Sequence, residues 1–187
     1  MRQVRRIAII GNSLPRRCGI ATFTTDLYHA IKKAAPSAEL TILAMTDPGR
    51  SYEYPESVGF EIHDDVLENY ERAAEFLNAG QFDVVSLQHE FGIFGGEAGA
   101  HIIALISRLS APLVTTMHTV LAEPTEAQRE VVNQIVASSA IIVVMAEKAR
   151  ELLQNIYHAP AGKIEVCLLY TSPSPRDRTR SRMPSSA

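Results

Sequence analysis

Residues 7–31, IAIIGNSLPRRCGIATFTTDLYHAI, decide the fold. The apolar run from Ile7 to Ile10 reads as a buried strand. It leads into a loop with glycines at Gly11 and Gly19, and then into a helix that carries Phe23, Leu27 and Ile31 on one face. A strand, a glycine loop and a helix in succession bring backbone N–H groups and a helix N-terminus to a small, often anionic ligand. Two later apolar runs end in polar residues, Gln88-His89-Glu90 and His118-Thr119. In a parallel sheet these ends fall on the same rim as the glycine loop, which outlines an edge for binding or catalysis.

Outward from that stretch, short β-branched runs alternate with helical periodicity. Strands are expected at 6–10, 39–45, 59–62, 83–88, 113–117, 141–145 and 163–166, most of them apolar throughout, as in strands covered on both faces. Helices are expected at 65–79, 97–109, 125–138 and 148–157. Their apolar sets include Val66, Tyr70, Ala73 and Leu77 in the first and Val131, Val132, Ile135 and Val136 in the third. Thr125, followed by Glu126 and Glu130, suits a helix start. Such alternation implies an α/β fold, a Rossmann-like parallel sheet flanked by helices, with right-handed crossovers and ligands beyond the carboxyl ends of the strands. Residues 46–58 read as a polar surface loop.

The 187 residues, 46% hydrophobic and 21% charged, allow one domain with a substantial core. The net charge of −3 hides an asymmetry: residues 167–187 carry four Arg and one Asp, which leaves −6 on residues 1–166. An acidic body argues against general nucleic-acid binding. There is no apolar run of membrane-spanning length and no secretory leader pattern, so a cytoplasmic location without a transmembrane segment is expected. Two cysteines, Cys18 and Cys167, give no disulfide framework. Apolar periodicity stops after Val166, where CLLYTSPSPRDRTRSRMPSSA begins. Composition fits a disordered basic tail, and the segment also resembles translated adapter sequence fused to a truncated frame. The expected organisation is therefore a domain over 1–166 and a disordered, non-native tail over 167–187.

Several residues could carry chemistry. The Gly11–Gly19 loop fits neither G-x-G-x-x-G nor a Walker loop. It is either a turn that needs glycine for positive φ, or a loop that approaches a sugar or phosphate, with Arg16 and Arg17 available to an anion. His118, just past a buried strand, could hydrogen-bond a substrate hydroxyl or transfer a proton. Gln88, His89 and Glu90 precede a glycine-rich rim loop, FGIFGGEAG. His89-Glu90 lacks the second histidine of H-E-x-x-H, so no metal site is expected. Cys18 reads as a small buried thiol, and Asp64-Asp65 as a helix cap. His29, His63, His101 and His158 read as structural or solvated.

Three segments in order, PRRCGIATFTTDL, SLQHEFGIFGGEAG and TTMHTV, resemble the N-terminal domain of retaining glycosyltransferases of family 4, which have the GT-B fold; the resemblance spans residues 5–166. It implies two Rossmann-like domains facing a cleft, the first mainly for the acceptor and the second for a nucleotide-diphosphate sugar. By this resemblance Gly19 matches a loop glycine near the donor phosphates and the acceptor. His118 matches the histidine that reaches the donor sugar. Gln88, His89 and Glu90 match the rim segment facing the cleft. The family's donor domain has no counterpart here. The resemblance thus implies an N-terminal fragment of an enzyme that moves a sugar from a nucleotide-diphosphate sugar to a glycan or other hydroxyl acceptor with retention. It implies no cofactor and an inactive fragment. The alternative is a free-standing Rossmann-like module that binds a nucleotide or glycan without catalysis. An oxidoreductase is disfavoured by the missing dinucleotide fingerprint.

Overall fold

A computed structural model describes residues 4–168; most of the expected tail, 169–187, lies outside the described residues. Seven strands form one sheet: β1 (Arg6–Gly11), β2 (Glu39–Thr46), β3 (Val58–His63), β4 (Val84–His89), β5 (Leu113–Met117), β6 (Ser139–Val144) and β7 (Ile164–Val166). Five helices connect them: α1 (Gly19–Ala34), α2 (Leu67–Ala79), α3 (His101–Ile106), α4 (Glu126–Ser138) and α5 (Glu147–Ile156). Each strand pairs in parallel with its neighbours, in the order β3-β2-β1-β4-β5-β6-β7. The Rossmann-like sheet expected from the strand–helix alternation is the observed architecture.

That strand order separates the helices. The chain steps from β1 to β2 in one direction and from β3 onward in the other. With right-handed crossovers, α1 lies on one face and the later helices on the opposite one. Alternate side chains of β1 record this split. Ala8 and Ile10 join the large core with Tyr70, Leu77, Ile102, Ile135 and Leu153, whereas Ile9 packs with Ile42 and Ala44 under Leu27, Tyr28 and Ile31 of α1. The expectation that the strands are covered on both faces holds on the α2–α5 side. On the α1 side, beyond that helix, Ile7, Val84, Val114, Val143 and Met145 line an apolar groove of about 360 Å³ with Phe23 and Leu27.

Helix starts and stops follow local chemistry. Thr125 caps α4 in a reciprocal box: Gln128 N donates to Thr125 Oγ1 at 3.2 Å and Thr125 N donates to Gln128 Oε1 at 2.9 Å. Such a cap contributes about 1 kcal/mol. The helix expected over 97–109 is shorter, a 3-10 turn at Glu97–Gly99 followed by α3. Gly96, Ala98 and Gly99 have φ of 78°, 53° and 81°, and left-handed backbone cannot continue an α-helix. Asp64 and Asp65 do not cap α2. Its N-cap is Val66, without a side-chain bond, and the Asp64 carbonyl instead accepts from Tyr70 Oη at 2.9 Å. The Tyr70 hydroxyl in turn accepts from Gly95 N at 2.9 Å, which ties the glycine-rich loop after β4 to the end of β3.

Candidate functional site

All seven strands run the same way, so their carboxyl ends share one edge. The strand order reverses between β1 and β4, and sheets of this kind take ligands at the carboxyl edge beside such a reversal. The loop after β1, the loop after β4 and the residues following β5 surround it.

Gly11 ends β1 without positive φ, and Gly19 also lacks it. The turn reading that requires left-handed glycine therefore does not apply to either residue. What Gly11 supplies is space: a Cβ there would lie 3.0 Å from Gln88 Cβ and 3.1 Å from Thr24 Oγ1. Gly19 is the exposed first residue of α1, with open space where a Cβ would stand. Cys18 is the N-cap of that helix. Its half-buried Sγ accepts from Ala21 N at 3.4 Å and from Asn12 Nδ2 at 3.3 Å, so the thiol shapes the loop. Cysteine is not a usual cap, which is why the sequence did not signal this role.

The two loop arginines are not equivalent. Arg16 bonds Asn12 Oδ1 at 2.6 Å and pairs with Asp47 Oδ1 at 2.6 Å. Tyr52 donates to the other oxygen of that carboxylate at 2.7 Å. The 46–58 stretch, expected to be a plain surface loop, thereby braces the glycine loop. Arg17 is exposed and has no ion pair among the described residues. The amides of Gly19 and Ile20 have no acceptor among the described residues. A free guanidinium beside a helix N-terminus can attract and hold an anion.

His118 follows β5, and its backbone N donates to His89 O at 3.0 Å. Its ring meets Phe23 of α1 edge-on, with centroids 4.8 Å apart. Nε2 lies 3.1 Å from Gln88 Oε1. Burial lowers the His118 pKa and so favours the neutral ring, opposed by the Glu90 carboxylate. With Nε2–H donating to Gln88, Nδ1 is an acceptor with no partner among the described residues. The ring can accept a hydrogen bond from a sugar hydroxyl, or take up its proton, at that nitrogen.

The triplet Gln88-His89-Glu90 at the end of β4 divides by strand alternation. Gln88 is fully buried on the α1 side, against His118 and Ser86. His89 is fully buried on the other face, 5.0 Å from the Phe91 ring and 6.0 Å, stacked, from Phe94. Neither of its ring nitrogens has a partner among the described residues, and burial, with a smaller contribution from His118, lowers its pKa to about 4. In this structure neither side chain stands on an open rim, as the resemblance had implied. Glu90 remains at the edge: Oε1 accepts from Phe91 N at 3.0 Å and Oε2 accepts from Thr119 Oγ1 at 2.6 Å. Asn12 and Asp47 complete the edge beside Thr119 and, unlike Thr119, were not singled out in the sequence. Each follows a strand end, which is the signal that could have found them. No group of three or more His, Cys, Asp or Glu is placed to hold a metal ion among the described residues.

Residues 18–167 match the family model described as Glycosyltransferase Family 4. The chain belongs to that family. The match ends where apolar periodicity is lost. A solved glycosyltransferase from Rickettsia africae ESF-5 resembles this family-4 chain with a TM-score of 0.57 at 15% identity, over 88% of this chain and 43% of that one. The chain therefore spans less than half the length of that relative. Comparison with curated proteins gives no significant match. No helix among the described residues is long and apolar enough to cross a membrane.

Proposed function

We propose that this chain is the acceptor-side half of a GT-B glycosyltransferase that transfers a sugar from a nucleotide-diphosphate donor to a hydroxyl acceptor with retention. The observation that carries the reading is that the N-terminal part of α1 and the His118 ring lie together at one sheet edge, where the ring meets Phe23 of α1. Arg17 and the free amides of Gly19 and Ile20 would face the diphosphate as it leaves with growing negative charge. His118 Nδ1 would accept from a sugar hydroxyl and hold the ring as the glycosidic bond breaks. Arg16, already paired with Asp47, would keep the loop in shape while Arg17 meets the ligand. Residues 1–166 would form the domain and 167–187 would take no part. The protein would act in the cytoplasm, and no cofactor enters the scheme.

A cleft enzyme positions and stabilises with both walls, so the 187-residue chain alone should not turn over its donor. The test uses this chain beside a gene product extended beyond codon 166 into a second βα domain. Both are incubated with a panel of nucleotide-diphosphate sugars and hydroxyl acceptors, and products are read by mass spectrometry and anomeric NMR. Transfer with retained configuration by the extended product alone is the expected result. Inversion, or equal turnover by the 187-residue chain, would overturn the proposal.

A further inference from the structure

We infer that Gln88 is a positioning residue for His118: its buried side-chain amide holds Nε2–H and leaves Nδ1 as the nitrogen presented to a ligand. The inference rests on the reading of His118 as a sugar contact, and it concerns a side chain that does not itself touch substrate.

The geometry forms a chain of contacts. Ser86 and Gln88 are two residues apart on β4, so both project to the α1 side of the sheet. Gln88 Nε2 donates to Ser86 Oγ at 3.1 Å, which orients the amide with Oε1 toward His118 Nε2 at 3.1 Å. The amide cannot swing away. Gln88 is fully buried, and its stem packs against Gly11, where an added Cβ would lie 3.0 Å from Gln88 Cβ and 3.3 Å from Cγ. A side chain at Gly11 would crowd Gln88 and Thr24. On its other side the imidazole meets the edge of Phe23. An amide oxygen accepts but cannot donate, so it selects the imidazole tautomer protonated on Nε2. Fixing one ring nitrogen through a hydrogen bond determines what the other can do. The titratable group that acts on this ring is Glu90, from the loop after β4, and the ring in turn acts on His89, at the end of β4.

Two variants and two readouts test the inference. Ring-nitrogen NMR on the 187-residue chain needs no substrate. The unmodified protein should show one His118 tautomer, protonated on Nε2, with a slowly exchanging ring N–H. Gln88→Leu should lose the slow exchange. Gln88→Glu should keep the N–H bonded and raise the His118 pKa by about one unit or more, because a carboxylate favours the imidazolium. In the extended enzyme, Gln88→Leu should lower kcat by about tenfold or more with a smaller change in KM. Gln88→Glu should recover part of that loss and move the pH profile upward. Unchanged ring exchange in Gln88→Leu together with an unmoved His118 pKa in Gln88→Glu would overturn the inference. Altered ring behaviour with unchanged kcat would instead remove His118 from the reaction, leaving the Gln88 contact intact and refuting the sugar-contact reading on which the inference rests.

Discussion

Lowering the pH should destabilise this protein most through one side chain, His89. Its imidazole is fully buried between Phe91 and Phe94 with neither nitrogen partnered among the described residues, and its pKa is lowered to about 4. In the unfolded chain the same group titrates near 6.5. Above that value both states are neutral and His89 has no pH-dependent effect. As pH falls below about 6.5 the unfolded chain binds a proton that the folded protein resists, so stability is lost down to about pH 4 and levels off below it. At one pKa unit per roughly 1.4 kcal/mol, the full loss is about 3 kcal/mol, of which about 2 kcal/mol falls between pH 7 and pH 5. His89→Leu replaces the ring with an apolar group of similar size. It should match the parent at pH 7, or exceed it, because two unpaired polar atoms leave the core. Urea unfolding of both proteins at pH 7, 6 and 5 checks this. Groups not coupled to His89, such as Asp64 with its pKa raised by burial, act alike in both proteins and cancel in the difference. Parallel pH dependence in the two proteins would refute the argument, since His89 would then be solvated or hydrogen-bonded in solution.

Other consequences are equally direct. In an extended, active enzyme, His118→Ala should lower kcat on the order of a hundredfold. Its melting point should fall only a few degrees, because the main structural loss is the partner of Gln88 Oε1; near-normal kcat in the folded variant would remove His118 from the site. Arg17→Ala should leave the melting point unchanged and weaken donor binding in the extended enzyme, whereas Arg16→Ala should also lower the melting point by breaking the Asp47 pair; calorimetry and donor titration separate the two. Ending the chain at Val166 should shift the melting temperature by no more than a few degrees, and a large drop would show that residues 167–187 pack on the domain.

The candidate site was legible in part. His118 was found because a polar residue after an apolar strand marks the carboxyl edge of a parallel sheet, and the structure places it there. The roles around it were less legible. Period-two alternation on β4 sends Gln88 and His89 to opposite faces, but which face adjoins α1 depends on the handedness of crossovers far away in sequence. Arg16 and Arg17 are adjacent and alike in the sequence. Only the approach of Asp47, from the end of β2, makes one a brace and leaves the other free.

Local pattern alone determined the alternation of strands and helices, the seven strand sites and the break after Val166. Each is written in the spacing of apolar residues, and burial of those residues drives folding. The three motifs likewise carried the family. Tertiary structure alone decided which side chains meet: the Gln88 amide against His118, the glycine that admits it, the thiol that caps α1, and the helix α3 that begins only after the left-handed Ala98 and Gly99. These depend on distances between segments tens of residues apart and on backbone angles at single positions, and hydrophobic periodicity encodes neither.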